Sequence, residues 1–99
     1  MKRTREPNHP GKILYELYHV GLGITLTDFA DGIGVSRKAI SAIVNGHKRV
    51  TPEMALRFSK AFNTTPELWL NLQQSHDLWM ARIAIEDEIS SILPLHVMA

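Results

Sequence analysis

The stretch from Leu26 to Asn45, LTDFADGIGVSRKAISAIVN, decides how the chain folds. Two short helices that cross steeply impose residue types at fixed spacing. Ala30 is small where the helices would approach most closely. Gly34, four residues on, sits at the corner, where a positive φ is cheap only for glycine. Phe29, Ile33, Val35, Ile40 and Ile43 supply apolar groups for the inward side of both helices. Ser36 is placed to cap the second helix through its hydroxyl, and Arg37 and Lys38 then open that helix. The second helix of such a helix-turn-helix enters the major groove with its N-terminal residues against base edges.

A tight αα-corner that binds nothing can also use an Ala, a Gly and several Ile. Charge placement argues against that reading. Between Asp31 and Glu53 there is no acidic residue, while Arg37, Lys38, Lys48 and Arg49 all fall there. A solvated helix face that served only stability would mix signs.

At 99 residues the chain predicts one domain with a modest helical core. Its net charge of +1 hides an asymmetry. Residues 1–52 carry eight Lys/Arg against Glu6, Glu16, Asp28 and Asp31, a balance of +4, and residues 53–99 carry −3. A basic half and an acidic half suit a protein that meets phosphates at one end and something else at the other. With no cysteine there is neither a disulfide framework nor thiol chemistry, which fits a reducing cytosol. No apolar run approaches the roughly 20 residues of a membrane span, and no apolar segment of a signal peptide follows MKRTREPNHPG. The expectation is a soluble, cytoplasmic, nucleoid-associated protein without a membrane partner.

Working outward, residues 1–8 read as a mobile basic tail rather than a phosphate-tracking arm. A first helix should begin near Pro10, carry the stripe Ile13, Leu14, Leu17 and Tyr18, and stop at Gly21 and Gly23. Thr25 can cap the second helix, with Asp28 three residues on as in a capping box. Gly32 inside that helix costs about 1 kcal/mol against alanine, and nothing in the sequence explains it. The third helix spans about 36–45 and ends at Asn45-Gly46. Thr51-Pro52-Glu53 and Thr65-Pro66-Glu67 repeat one start signal, a cap followed by proline, for the fourth and fifth helices. Met54, Ala55, Phe58 and Phe62 form the buried side of the fourth.

From Trp69 onward, Leu72, His76, Trp79 or Met80, and Ile83 recur at helical spacing, and Ile85, Ile89, Ile92 and Leu93 make a second stripe. That is more apolar surface than one helix-turn-helix can cover. The fold class is therefore all-α, five to six helices with an extended C-terminal helix. The expected division is a tail over 1–8, a DNA-binding domain over 9–75, and a helical extension over 76–99 for dimerisation or partner contact. Leu72, His76, Trp79, Met80 and Ile83 are the expected homodimer interface, whereas Trp69 is assigned to the core.

No catalytic constellation is found, and no metal or cofactor set. The histidines at 9, 19, 47, 76 and 96 have no His partner at i+3 or i+4 and no cysteine to complete a zinc site. His76 reads as a packed interface residue rather than a ligand. Glu86-Asp87-Glu88 reads as a solvent face first and a docking surface for a basic partner second.

The DNA-facing set takes individual roles. Arg37 and Lys38 lie where side chains reach deepest, and arginine can pair bidentately with guanine O6/N7. Ser36 and Ser41 are short groups for a base edge or phosphate, and Thr27 can add a phosphate bond from the second helix. Asn45 is open between a phosphate contact and service to the helix end. Lys48 and Arg49, past the turn, are expected to hold the DNA backbone.

On these residues the chain resembles HigA-type antitoxins, with a helix-turn-helix of the Cro/phage-repressor (XRE), lambda-repressor-like kind. The pieces that carry the resemblance are His9-Pro10-Gly11 before Ile13-Leu14, GVSRKAISAIVNG at 34–46, VTPEMALRFSKAF at 50–62 and TPELWLNLQQSHDLW at 65–79. Gly32 and residues 80–99 match less well. The resemblance implies an all-α dimer that binds a palindromic operator in its own promoter. It also implies a partner toxin, a small basic ribonuclease of the HigB/RelE kind, that this chain neutralises. Two other readings remain beside it: a stand-alone XRE repressor, and an interaction module that has lost DNA binding. The basic opening of the third helix argues against the last.

Overall fold

The computed structural model describes residues 6–95. Five helices follow one another, α1 (Pro10–Tyr15, widening into a π-helical stretch over Glu16–Gly21), α2 (Leu26–Ile33), α3 (Arg37–Val44), α4 (Pro52–Phe62) and α5 (Pro66–Ser90). No strand occurs among the described residues. The basic tail expected over residues 1–8 lies for the most part outside them.

Each helix starts where a cap precedes it. Thr25, Ser36, Thr51 and Thr65 accept backbone N–H groups of Asp28, Ala39, Met54 and Leu68 at 3.1, 3.1, 3.3 and 3.2 Å. The α1 cap escaped the sequence reading: His9 Nδ1 accepts the Gly11 N–H at 2.9 Å, ahead of the expected Pro10. Stops are equally local. Gly34 and Gly46 take φ of 74° and 77°, and Asn63 ends α4 at φ 55°. The single helix expected up to Gly21 is wound wider in its second half.

Leu14, Tyr18, Phe29, Ala30, Ile40, Ile43, Val50, Ala55, Phe58 and Trp69 form one buried cluster. Aromatic rings run through it: Tyr18 stacks on Phe29 at 4.9 Å, Phe29 on Phe62 at 5.4 Å, and Phe58 meets Trp69 edge-on at 5.2 Å. Such pairs add about 0.5–1.5 kcal/mol each beyond area burial. Trp69 is fully buried as expected, and its Nε1 donates to Thr64 Oγ1 at 2.9 Å.

Three contacts lock the corner to the rest. Gly11 lies so close to α3 that a Cβ there would sit 2.0 Å from the Ile43 carbonyl oxygen. Arg57 of α4 donates to the Ile33 carbonyl at 2.6 Å, closing the C-terminal end of α2. Gln73, buried on α5, accepts the Val50 N–H at 2.7 Å and donates to Asp77 at 2.9 Å, which holds the α3–α4 loop.

Beyond the body, α5 projects. The division expected between residues 75 and 76 falls inside this helix, whose non-helical point is Ile85, at φ −124° and ψ 22°. From Met80 to Leu95 every residue is exposed.

Candidate nucleic-acid interface

The corner puts the first turn of α3 on the surface. Gly34 in the left-handed region turns the chain, Val35 N–H returns to the Ala30 carbonyl at 3.1 Å, and Ser36 caps α3 through Ala39. Ile40 and Ile43 face the core, so Arg37, Lys38 and Ser41 are left on the other side of the helix. Arg37 and Lys38 are exposed and make no ion pair among the described residues. They are free cations at the N-terminal turn of the exposed helix, where a phosphate or a base edge can be reached.

The expected residues gather in two adjoining hollows. Arg37, Lys38, Ser41 and Asn45 line one, together with Leu26 and His47. Ser36, Lys48 and Arg49 line the other, and Lys38 borders both. Thr27 is exposed on the first turn of α2 beside Leu26. His47 was missed by the sequence reading, although it stands inside the basic run next to Lys48.

Four members have partners within the chain. Ser36 spends its hydroxyl on the cap. Asn45 Nδ2 donates to Ser41 Oγ at 3.3 Å, so these two side chains form one hydrogen-bonded unit on α3. Arg49 pairs with Asp77 of α5. That pair is exposed and contributes little stability.

The stripe on α5 divides. Leu72 packs against the domain's own core, and His76 meets His9 edge-on at 4.8 Å. Those two side chains are thus engaged by the body, because α5 lies against it up to that point. Trp79 is half-buried, while Met80 and Ile83 are exposed. Sequence spacing could not separate the two parts, since packed and free turns repeat the same period.

No group of three or more His, Cys, Asp or Glu side chains that could hold a metal occurs among the described residues. No helix there is long and apolar enough to cross a membrane.

Comparison with known proteins matches residues 20–69 to the helix-turn-helix family model HTH_3. Antitoxin HigA-1 of Vibrio cholerae is 34% identical over 97% of this chain and 90% of its own length. An uncharacterized helix-turn-helix transcriptional regulator of Haemophilus influenzae is 46% identical over 77% of this chain and 71% of that protein. The structure of Pseudomonas aeruginosa antitoxin HigA with the higBA promoter superposes with a TM-score of 0.85 at 30% identity, covering 92% of this chain and all of that one.

Proposed function

The chain belongs to the helix-turn-helix family HTH_3 and stands with its HigA-type antitoxins, and from that premise we propose that it is a DNA-binding antitoxin and autorepressor. It binds an operator in its own promoter through the N-terminal turn of α3. Arg37 and Lys38 reach base edges, Ser41 and Asn45 complete the reading surface, and Thr27, Ser36, Lys48 and Arg49 position the phosphates. The observation that carries this reading is the pair of unpaired cations at the exposed start of α3, in a region without acids.

Two copies act together. One recognition helix covers too few base pairs to discriminate within a genome, so a homodimer meeting a two-fold operator fits the site better. Trp79, Met80 and Ile83 supply the free part of the seam, with Leu72 and His76 behind them. The partner is a basic ribonuclease of the HigB/RelE kind, and the chain itself carries out no catalysis and acts in the cytoplasm. A stand-alone repressor is the second reading, favoured by the Haemophilus influenzae relative described only as a regulator.

One experiment separates the two. The chain is co-expressed with the product of a short neighbouring reading frame and tested against its own upstream DNA. Rescue of growth together with a mobility shift is the expected result. A shift without rescue would leave the repressor reading, and the loss of both would overturn the proposal.

A further inference from the structure

The outward face of α3 carries one side chain without a polar atom. Arg37, Lys38, Ser41, Ala42 and Asn45 follow at i, i+1, i+4, i+5 and i+8, the spacing of a single helical face. Four of them can give or accept a hydrogen bond, and Ala42 cannot. Leu26, the first residue of α2, comes to the same place. It packs partly on the core and also lines the hollow that Ala42 shares with Arg37, Lys38, Ser41 and Asn45. Leu26 and Ala42 are both half-buried, so each keeps some apolar surface open to that hollow. No carboxylate lines it.

The cations and hydrogen-bonding groups there suit phosphates and base edges. The two apolar side chains suit neither. Along its major groove a duplex presents donors, acceptors and one apolar group, the C5-methyl of thymine. That methyl is the part of the groove that gains by leaving water against an aliphatic side chain. A phosphate drawn in by Arg37 and Lys38 would leave Leu26 and Ala42 without a partner. Ala42 is also short enough for a base edge to come close, where a longer side chain would fill the space.

We propose that Leu26 and Ala42 form an apolar seat for the C5-methyl of a thymine in each operator half-site, and so determine specificity at that base pair. The inference rests on the operator-binding reading above and adds to it one base and the group by which it is read. Ser41 and Asn45, bonded to each other, flank the seat on α3, and Arg37 and Lys38 lie a turn earlier. The contact tells thymine from cytosine, which carries hydrogen at the same carbon.

The test uses the full chain and copies of its footprinted operator in which single thymines are replaced by deoxyuridine. That change removes the methyl and leaves every hydrogen-bonding atom in place. One thymine in each half-site should be sensitive. Its replacement should weaken binding about fourfold, and replacement in both half-sites about fifteenfold, the effect of burying one methyl and then two. In Leu26→Gln and Ala42→Ser chains the ratio of thymine to deoxyuridine affinity should fall towards one. The ratio compares two DNAs on one protein, so a partly destabilised variant still reports it. An operator on which no thymine is sensitive would overturn the inference while the operator-binding reading stands. A sensitive thymine whose ratio is unchanged in both variants would overturn the placement at Leu26 and Ala42. Absence of any preference for operator over random DNA in the unaltered chain would overturn both readings.

Discussion

Gly11 and Gly32 show how differently one residue type can be used. At Gly11 a Cβ would meet the Ile43 carbonyl oxygen at 2.0 Å, and a backbone atom cannot move aside cheaply. Gly11→Ala should therefore cost about 1–3 kcal/mol or more, by forcing α1 away from α3. At Gly32 the added Cβ meets open space within a helix. Gly32→Ala should stabilise by about 1 kcal/mol, a rise in Tm of about 4–8 °C, read by thermal melts of both variants. A Gly32→Ala protein that melts below the unaltered chain would show a constraint that the helix does not reveal. His9 adds a pH dependence. Its Nδ1 accepts the Gly11 N–H, which requires the unprotonated ring. Burial, then the neighbouring His76, lower its pKa below the ordinary 6.5, with Asp77 opposing. As pH falls through 6.5 the unfolded chain takes up this proton first, so stability declines until the lowered native value is passed. His9→Asn keeps a cap without the titration and should flatten the fall of Tm between pH 7 and 5 relative to the unaltered chain. An equal slope in both would remove His9 from that role.

Elements were legible wherever one residue dictates a local backbone choice. The Thr-Pro starts of α4 and α5, the Ser36 cap and the Gly34 corner are short-range chemistry, and all four stand where the sequence places them. The His9 cap was hidden because an imidazole accepts at an N-cap only in a particular rotamer. The π-helical second half of α1 was hidden because its pattern of apolar residues is that of an ordinary helix. Gln73, Arg57 and the Arg49–Asp77 pair join residues 23 to 28 positions apart, and no local period announces such contacts. Within α3 the roles of two cations can be separated by binding. Arg37→Ala should weaken operator binding by about 1–3 kcal/mol and relax base preference at one position, with less effect on random DNA. Lys48→Ala should weaken both alike and lower the salt slope by about one unit. Equal losses on operator and random DNA for Arg37→Ala would make it a phosphate contact.

The whole molecule is drawn out by α5. Its radius of gyration is 17.2 Å, against about 13 Å for a compact chain of 100 residues. Met80, Ile83, Ile85 and Ile89 on this helix are exposed. Trp79→Glu should place an unpaired charge in the proposed seam and yield a folded monomer with DNA affinity near the non-specific level. A variant that still sediments as a dimer would move the seam elsewhere. That α5 is long and apolar was readable from its sequence, but which turns the body already covers was not, because this depends on where the helix leaves the domain. The most direct measurement is a footprint of the chain on the DNA upstream of its own gene, beside the same assay on random DNA. Two protected half-sites about 10–10.5 bp apart, centre to centre, at concentrations that leave random DNA free, are the expected result. Equal affinity for both DNAs, with no paired protection, would contradict a dimeric operator-binding antitoxin.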